Sequence, residues 1–454
     1  MTYEASFSCK KWEYFGAKIM CCFVIAFILC TLLKPDIGPL PLMNLEQSVA
    51  FNLKMLMMST EERSQPQQSR NKTAYSRREK HNFPKLRNSR SQVYELNGDI
   101  RIHGNSSTIY IASTLSQQHN NNSNITLNWT TTPYARIGDR VAIRKSKIFN
   151  IILFNHHQKI PPPPPCRSRS TVPAILLSTG GYAGNLFHDF TDMLVPLYQT
   201  SRQFNRSVIF LVSDKRSWWT SKYKLILSNL TKHEIVDIDR ENEFMCFSRV
   251  IVGLKAHKEL GIDPVQSPKE SMDGFREFLR STYSLEHRRN IHRPRLLIIS
   301  RRKSRHLANE AEVADMARGL GFDVVVREMW WDVASVAKFV NWFDVMVGVH
   351  GAGLTNMVFL PENGVVVQIV PIGLERLSRI YFQVPAKDMK LSYIEYKVGM
   401  NESTLMGNNR PLHDDVNRGG WHDFRSVYLD NQDVSVNLGR FRGTLLEALE
   451  LVHK

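Results

Sequence analysis

The chain has 454 residues, enough for two or three domains, and its 43% hydrophobic and 10% aromatic content excludes wholesale disorder and a collagen-like fibre. The formal net charge of +16 favours acidic partners without choosing between nucleic acid, membrane and acidic polysaccharide. Six cysteines are too few for a disulfide scaffold, and their spacing does not match a structural zinc site.

The N-terminal region predicts a membrane anchor. Residues 19–33 carry no charge and follow several lysines, and Lys18 can extend to the membrane interface. The run is short for a hydrocarbon core of about 30 Å, but preceding aromatic residues lengthen it. A cleaved signal peptide is the alternative, although residues 32–35 lack the small residues of a cleavage site. We favour an anchor, with residues 1–18 as a cytosolic tail and the remainder in a lumen.

Residues 34–130 are predicted to form a stem. The part from residue 59 to residue 90 is rich in Ser, Gln, Asn, Arg and Lys and lacks the periodicity of a helix or strand. A solvated spacer is the preferred interpretation, because aromatic residues do not alternate with the charges as base stacking requires. We therefore expect no nucleic-acid partner.

Sequons and cysteines fit a lumenal location. Cys166 and Cys246 are the two cysteines of the predicted lumenal part, and a disulfide between them and two unpaired buried thiols are the alternatives. The predicted N-glycosylation sites are Asn71, Asn105, Asn121, Asn124, Asn128, Asn205, Asn229 and Asn401.

From about residue 131 strand and helix patterns alternate, which is typical of parallel sheets covered on both faces. Two such series predict an α/β fold of two Rossmann-like domains facing a cleft, at 131–290 and 291–454, the second with a terminal helix. The predicted strands are 174–178, 208–212, 234–238, 249–254, 295–300, 323–327, 345–349 and 365–370. The predicted helices are 185–202, 270–283, 308–320 and 333–342.

The segment at 178–192, STGGYAGNLFHDFTD, combines a strand end with a polar helix face. Asn185, His188 and Asp192 are spaced to share that face, at the edge where open α/β sheets place ligands. An amide, an imidazole and a carboxylate suit hydroxyl recognition and proton removal. A capped helix with a solvated polar stripe is the structural alternative.

Two further segments favour anion binding. Arg301 and Arg305 lie between a predicted strand and a helix, where cations and free N–H groups form a diphosphate cradle, although a basic surface turn is the alternative. The turn at 350–356, HGAGLTN, joins a strand to a helix, and its glycines let the backbone approach a phosphate. A structural histidine at a turn is the alternative for His350.

Metal chemistry has little support in the sequence. Asp237-Ile238-Asp239 is a D-x-D string of the kind that holds manganese in nucleotide-sugar enzymes. It ends a predicted strand away from the two phosphate-type turns, and we interpret it as ordinary turn chemistry. No metal site is predicted.

The segments GGYAGNLFHDFTD, SRRKSRHLANE and VGVHGAGLTN, in this order behind one N-terminal anchor, resemble glycosyltransferase family 61. The resemblance covers about residues 91–454 and is closest to plant, particularly grass, members that decorate xylan in the Golgi. It implies a two-domain GT-B fold, a UDP-sugar donor, inversion at the anomeric carbon and no required metal. Tyr94 stands where many plant members carry a cysteine, so a disulfide expected there is missing.

The family's motifs transfer to this sequence position by position. Asn185, His188 and Asp192 match its N-x-x-H-x-x-x-D pattern on the acceptor side. The nucleotide-sugar-binding residues implied are Arg301, Arg305, Asn309, Glu310, His350, Gly351, Ala352, Gly353, Leu354, Thr355 and Asn356.

The expected reaction is a single displacement in which Asp192 or His188 removes a proton from an acceptor hydroxyl. Arg301, Arg305 and the turn at 350–356 stabilise the departing diphosphate. UDP-arabinofuranose is the preferred donor, with the arabinose transferred to O-3 of a xylan residue. The chain would then be a xylan alpha-1,3-arabinofuranosyltransferase. UDP-xylose and a beta-1,2-xylosyltransferase are the second choice.

Two alternatives come from other classes: an inactive glycan-binding scaffold of the same fold, and a metal-dependent transferase of the other main fold. The expected setting is the Golgi membrane, in a single-pass type II protein with a lumenal catalytic part. Its expected partners are xylan or arabinoxylan and other cell-wall glycosyltransferases.

Overall fold

The computed structural model describes residues 85–87, 90–112, 128–154, 165–166, 168–286, 293–407 and 420–454. The predicted tail, the anchor at 19–33, residues 34–84 of the predicted stem, and the sequons at Asn71, Asn121 and Asn124 lie outside these ranges. No helix within the described ranges is long and apolar enough to cross a membrane.

The described residues form strands in two sheets with helices between them. The strands are β1 Lys85–Arg87, β2 Gln92–His103, β3 Thr108–Ala112, β4 Asn128–Thr131, β5 Phe149–Phe154, β6 Ser168–Ser170, β7 Ala174–Ser178, β8 Ile209–Ser213, β9 Val236–Asp237, β10 Phe244–Val252, β11 Arg295–Ile299, β12 Asp323–Arg327, β13 Val345–Val349, β14 Val365–Val370 and β15 Ser392–Lys397.

Three of the helices include a π-helical segment. The helices are α1 Arg140–Arg144, α2 Leu186–His188 continued by π-helical Asp189–Leu194 and by Val195–Ser201, α3 Ser217–Lys222, α4 Lys224–Leu230, α5 Met272–Tyr283, α6 Glu310–Gly319, α7 Val333–Val340, α8 Glu375–Ser378 continued by π-helical Arg379–Gln383 and by Val384–Asp388, α9 Gly420–Phe424 continued by π-helical Arg425–Asp430, and α10 Leu438–His453. The 3₁₀ segments are Arg202–Phe204, Ile238–Arg240, Ala352–Phe359, Met400–Glu402 and Thr404–Gly407.

Side-chain caps begin several of these helices. Asn185, Ser271, Asp332 and Asn437 precede α2, α5, α7 and α10, and each side-chain oxygen accepts a backbone N–H from the first turn. Such caps satisfy donors that have no partner inside the helix. The starts of α2 and α7 therefore follow from local sequence, and both lie beside the candidate site.

The first sheet has ten strands, with the order β4-β5-β3-β2-β10-β7-β8-β9, while β1 pairs with β2 and β6 with β10. Strands β10, β7, β8 and β9 run parallel, and β2 lies antiparallel to β10 and to β3. All five residues of β7 are buried, as expected of a strand covered on both faces. The carboxyl end of β7 leads through the turn at residues 179–185 into α2.

The prediction that residues 34–130 form a stem throughout is wrong for β2 and β3. These strands bury Ile100, Ile102, Ile109 and Ile111 in the core of the first sheet, and β2 pairs with β10 along most of its length. The alternating isoleucines provide the burial that a spacer lacks. The polar composition of the surrounding segments concealed this pattern.

The second sheet is entirely parallel, with the order β12-β11-β13-β14-β15. The chain first adds β12 on one side of β11 and then returns to add β13 on the other side. Ligands of open α/β sheets bind outside the carboxyl ends of the strands where the winding reverses in this way. In this protein those ends lead to Arg301, after β11, and to His350, after β13.

Several predicted elements have the expected bounds, and others differ. The α/β class is confirmed, as are the strands at 174–178, 323–327, 345–349 and 365–370. The predicted strand at 234–238 is only two residues long, because Ile238 begins a 3₁₀ turn. The predicted helix at 185–202 contains a π-helical stretch, which hydrophobic periodicity does not reveal.

The two sheets belong to one compact unit of the chain and share apolar packing. One core cluster includes Ile175 and Leu177 of the first sheet together with Leu297 and Met346 of the second. Cys166, which precedes β6, forms a disulfide with Cys246 of β10, with an S–S distance of 2.00 Å. This bond links two neighbouring parts of the first sheet.

Candidate functional site

The turn between β7 and α2 depends on two glycines. A β-carbon at Gly180 would lie 2.3 Å from the carbonyl oxygen of Lys145, and one at Gly181 would lie 2.2 Å from the Tyr134 ring. Gly181 also has a φ of +54°, which favours glycine. The turn therefore packs closely on its neighbours and fixes where α2 begins.

Asn185 begins α2 as its cap. Its Oδ1 accepts the backbone N–H of Phe187 at 3.1 Å, so this oxygen has a structural role. Asn185 is exposed, so its Nδ2 is the group that could serve the predicted acceptor-side function.

His188 and Asp192 form a hydrogen-bonded pair on α2. His188 Nδ1 lies 2.9 Å from Asp192 Oδ2, and Asp192 is fully buried while His188 is 20% exposed. An ionised carboxylate only accepts hydrogen bonds, so Nδ1 carries the proton of a neutral imidazole. That tautomer leaves Nε2 with a free lone pair.

The charge of Asp192 is stabilised by two arginines. Burial alone would raise the pKa of Asp192, but the guanidinium groups of Arg136 and Arg90 outweigh it and lower the pKa well below its usual range. Arg136 Nε lies 3.1 Å from Oδ1, Arg90 Nη2 donates to the same oxygen, and the Tyr134 hydroxyl donates to Oδ2 at 2.8 Å. Asp192 is therefore a stable anion and a weak base.

Glu259 completes this buried network. Its Oε2 accepts from Arg136 Nη2 at 2.6 Å, from Arg90 Nη2 at 3.0 Å and from the Thr191 hydroxyl at 3.3 Å. Burial opposes ionisation of Glu259, yet Arg136 and Arg90 lower its pKa. Sequence analysis missed Arg90, Arg136 and Glu259, because the first lies in the predicted stem and the others lie in loops outside any motif.

Asp189, beside His188, points into the core and supports the turn. It accepts the backbone N–H of Gly184 at 2.9 Å, the Trp219 indole N–H at 3.0 Å and the Tyr223 hydroxyl at 2.7 Å. Burial raises its pKa. The carboxyl group of Asp189 thus connects the start of α2 to α3 and to the residue that follows α3. The helical pattern of the sequence does not distinguish this buried aspartate from an exposed one.

At the second sheet, Arg301 lies against the turn at residues 350–356, which we call the glycine turn. A β-carbon at Gly351 would come within 2.4 Å of Arg301 Nη1. Burial lowers the pKa of Arg301, and burial together with the charge of Arg301 lowers the pKa of Arg305 to about 10. The two guanidinium groups are close enough to affect each other and to attract an anion.

His350 is a neutral hydrogen-bond donor beside these arginines. Its Nδ1 accepts from the Gln368 amide at 2.9 Å and lies 3.0 Å from the Ser378 hydroxyl. The Gln368 amide is oriented because its oxygen accepts from the Tyr393 hydroxyl at 2.8 Å. Burial, followed by the charges of Arg305 and Arg301, lowers the pKa of His350 to about 3. The proton therefore resides on Nε2.

Several polar atoms near the glycine turn are buried without a partner among the described residues. They are Arg305 Nε, Glu310 Oε2 and Thr355 Oγ1. Buried polar groups usually have a hydrogen-bond partner, so these atoms are candidates for contact with a bound ligand. Arg305 Nη1 donates to the Leu429 carbonyl, and Glu310 Oε1 accepts from Ser300.

Asn309 and Asn356 have structural partners. Asn309 bonds both the N–H and the carbonyl of Val436, at 3.0 and 2.8 Å, so its amide has a structural role, and donor binding by Asn309 stays a prediction. Asn356 Nδ2 donates to the Gly353 carbonyl at 2.8 Å and stabilises the turn.

A cavity of about 320 Å³ lies between the two turns. Trp218 of α3 lies 5.5 Å from Trp331, ring centre to ring centre, and Lys222 Nζ lies 4.3 Å from the centre of the Trp331 ring. The residues that line the cavity are Gly184, Leu186, Lys222, Met329, Trp330, Trp331, Val333, Val336, Ala352, Gly353, Asn356 and Phe359. The turn before α2 and the glycine turn therefore line one cavity, and the tryptophans beside it were not predicted from the sequence.

Tyr381 of α8 connects the two sides of the crevice. Its ring centre is 4.7 Å from that of Phe187 and 6.3 Å from that of His350. Burial, followed by the charge of Glu259, raises the pKa of Tyr381 to about 12. The Tyr381 ring therefore lies between Phe187, which precedes His188 on α2, and His350.

The D-x-D string is engaged within the first sheet. Asp239 accepts from Lys147 Nζ at 3.0 Å and from the Asp214 backbone N–H at 2.6 Å. In the described residues, the grouped candidate metal ligands are Asp99, Cys166 and Cys246, and the two sulfur atoms are already joined.

Comparison with known proteins supplies the family. The sequence profile described as Glycosyltransferase 61 matches residues 186–367. The chain is 39% identical to alpha-1,3-arabinosyltransferase XAT2 of Oryza sativa subsp. japonica over 81% of its own length and 64% of that protein. It is 37% identical to the beta-1,2-xylosyltransferase XYXT1 of the same organism, over 81% of this chain and 83% of the relative.

A third relative is the xylan glycosyltransferase MUCI21 of Arabidopsis thaliana, which is 33% identical over 79% of this chain and 77% of the relative. The profile match includes α2 and the glycine turn, and the similarity to these relatives extends along most of the chain. The chain therefore belongs to glycosyltransferase family 61.

Proposed function

We propose that the chain is an inverting glycosyltransferase that moves a pentose from a UDP-sugar to xylan. The observation that carries this proposal is one cavity that both turns line, Gly184 and Leu186 from the start of α2 and Ala352 and Gly353 from the glycine turn. The His188–Asp192 pair follows the first turn on α2, and Arg301 and His350 adjoin Gly351 in the second. The names of relatives with similar identity include both an arabinosyl- and a xylosyltransferase. We keep alpha-1,3-arabinofuranosyl transfer as the first assignment and beta-1,2-xylosyl transfer as the second.

On the acceptor side we assign His188 as the general base. Its Nδ1 is bonded to Asp192 and its side chain is partly exposed, so we assign Nε2 as the proton-accepting atom. The oxygens of Asp192 are instead occupied by donors, and its pKa is lowered by Arg136 and Arg90 against the effect of burial. Asp192 then orients the imidazole and stabilises its protonated form. The proton of the acceptor hydroxyl moves to Nε2 as the oxygen attacks the anomeric carbon. General-base catalysis contributes roughly 10²–10⁴ in rate.

On the donor side the departing UDP needs compensation of its negative charge. Arg301 and Arg305 supply buried cations, and the neutral His350 supplies an N–H donor. Arg305 Nε and the Thr355 hydroxyl are available to phosphate oxygens. Preorganised donors of this kind stabilise a leaving group without a metal ion.

The tryptophan-lined cavity accommodates the base of the nucleotide. Its volume of about 320 Å³ lies within the range of small-ligand pockets. Trp330 and Trp331 offer flat apolar walls beside Ala352 and Gly353 of the glycine turn. We assign the phosphates of a base bound there to Arg301 and His350, because both adjoin Gly351, the residue before Ala352 of the cavity wall.

The cellular setting is proposed from the sequence and from exposure. The sequons that the structure describes, Asn105, Asn128, Asn205, Asn229 and Asn401, all have exposed asparagines, as glycan attachment requires. We assign the protein to the Golgi membrane, with the anchor at 19–33 and a lumenal catalytic part. Removal of N-glycans from the protein expressed in plant cells should increase its electrophoretic mobility, and unchanged mobility would contradict this assignment.

The test of the activity uses the full-length chain. It is incubated with UDP-arabinofuranose or UDP-xylose and xylo-oligosaccharides, and product masses and linkages are determined. Addition of one pentose, unaffected by EDTA, supports the proposal, and the linkage chooses between the two assignments. UDP binding without transfer from either donor would indicate a glycan-binding scaffold, and loss of activity with EDTA would indicate a metal-dependent enzyme.

A further inference from the structure

Asp192 has three side-chain donors besides His188: Arg90, Arg136 and Tyr134. Oδ1 is contacted by Arg90 and Arg136, while Oδ2 is contacted by Tyr134, His188 and Arg136. Donors on both oxygens leave the carboxylate one orientation, and His188 is oriented with it. Arg90 belongs to the segment just before β2, outside the region that matches the family profile.

Arg90 is held in place by the backbone around it. Its carbonyl accepts the N–H of Ile137 at 3.1 Å, and the neighbouring Ser91 hydroxyl accepts the N–H of Ala256 at 3.0 Å. Arg90 Nη1 donates to the Thr191 carbonyl at 2.6 Å, within the π-helical part of α2. The guanidinium therefore bridges α2 itself and the side chain of Asp192.

The charges of this network balance. Arg90 and Arg136 face Asp192 and Glu259, and Glu259 is bonded to both arginines. Without Arg90, one arginine would have to serve two carboxylates, and like charges in one site favour protonation. A protonated Asp192 is a poor partner for the Nδ1–H of His188.

We propose that Arg90 is a positioning residue for the transfer reaction, acting through the Asp192 carboxylate to hold His188 in the orientation and charge state of a base. This inference rests on the proposed function. Arg90 is only 8% exposed, and its guanidinium bonds Asp192, Glu259 and the Thr191 carbonyl inside the protein, so a direct role in substrate binding is not part of the inference.

The first test compares the pH dependence of kcat/KM in full-length Arg90→Met and Glu259→Gln variants. The acid limb of this profile reports protonation of the base. The groups facing Asp192 are Arg90, Arg136, His188 and Tyr134, with Glu259 and Tyr381 behind them.

Loss of the Arg90 cation favours protonation of the base, so the acid limb of the kcat/KM profile should move to higher pH by about one unit. Loss of the Glu259 anion disfavours protonation and should move the limb in the opposite direction. A purely structural role predicts no such opposed shifts. Unmoved limbs in both variants would overturn the inference.

The second test uses Arg90→Lys, which keeps the charge but cannot make both Arg90 contacts in one geometry. We expect kcat to fall about tenfold to a hundredfold, as part of the base contribution, while the dissociation constant for UDP stays the same. A folded Arg90→Lys variant with wild-type kcat would contradict the proposal, and this variant decides the question if Arg90→Met does not fold.

Arg101→Met is the matched control. Arg101 lies on β2, and its Nη2 pairs with Asp99 Oδ2 at 2.8 Å, outside the network around Asp192. It should leave kcat and the pH profile at wild-type values. If the wild-type protein itself transfers no sugar, the proposed function fails. If the wild type is active and the Arg90 variants behave as it does, only the positioning inference fails.

Discussion

The guanidinium of Arg301 lies against Gly351, where an added β-carbon would come within 2.4 Å of Nη1. Arg301 follows β11 and Gly351 follows β13, so the contact spans the point at which the winding of the second sheet reverses. Absence of a side chain at residue 351 thus determines where the cation lies. In the proposed function, this contact positions positive charge at the diphosphate.

Gly351→Ala should weaken donor binding by displacing Arg301. We expect the dissociation constant for UDP, measured by calorimetry, to rise about tenfold, which corresponds to about 1.4 kcal/mol. Gly443→Ala is the control, because Gly443 is an exposed residue of α10 with open space around its α-carbon. That change should stabilise the helix by up to about 1 kcal/mol and leave UDP binding unchanged. Equal binding by both variants would rule out the proposed role of the contact.

His188→Ala and Asp192→Asn should differ in their effect on stability. Loss of His188 should reduce turnover by roughly 10²–10⁴ while the free energy of unfolding changes by about 1 kcal/mol or less. Asp192→Asn removes a buried charge between two arginines and should destabilise the fold by about 3 kcal/mol as well as abolish turnover. Chemical denaturation and product assays measure both effects.

The control for this pair is His103→Ala, since the His103 Nδ1 is bonded to the Ser106 hydroxyl at the end of β2. Its turnover should equal that of the wild type. An active His188→Ala enzyme would exclude His188 as the base.

His350 should make the folded protein less stable in mild acid. Its pKa is about 3 in the folded state, lowered by burial and by Arg305 and Arg301, against an ordinary value of 6.5. Below the ordinary value the unfolded chain binds a proton that the folded protein excludes. Stability is therefore lost as the pH falls from about 6.5 toward 3, by about 2 kcal/mol at pH 5.

The His350→Gln variant lacks this contribution. Urea unfolding of wild type and variant at neutral pH and at about pH 5 should show that the wild type loses about 2 kcal/mol more on acidification. The groups around the imidazole are Gln368, Ser378, Arg301, Arg305 and Tyr381. A parallel loss in both proteins would mean that His350 is protonated in the folded state.

The disulfide between Cys166 and Cys246 should stabilise the first sheet. It joins residues separated by 80 positions, and closing such a loop restricts the unfolded chain. Replacing both cysteines by alanine should cost about 2–4 kcal/mol, measured by thermal or urea unfolding. A reducing agent should lower the stability of the wild type to that of the variant and leave the variant unchanged.

Sequence predicted well where local chemistry determines the outcome. Continuous apolar runs gave β7, β13 and β14, whose residues are all buried, and glycines marked both turns. The meeting of Arg301 with the glycine turn followed from the rule that ligand sites lie at the carboxyl ends of parallel strands.

The remainder of the site depends on tertiary contacts that no local pattern carries. Arg90 is one cation in a run of basic residues, and only packing shows that it pairs with Asp192. Glu259 and Arg136 meet across more than a hundred residues of chain. Likewise, the proposed assignment of His188 rather than Asp192 as the base depends on the two arginines around the carboxylate, which the sequence does not bring together.

The location of Arg90 before β2 has a practical consequence for producing soluble fragments. A fragment that starts at residue 131, where the composition changes, would remove β2 and β3, leave β10 without its antiparallel neighbour, and omit a counter-charge of Asp192. Such a fragment would expose an open sheet edge, which promotes aggregation. The shortest useful expression product begins upstream of residue 90.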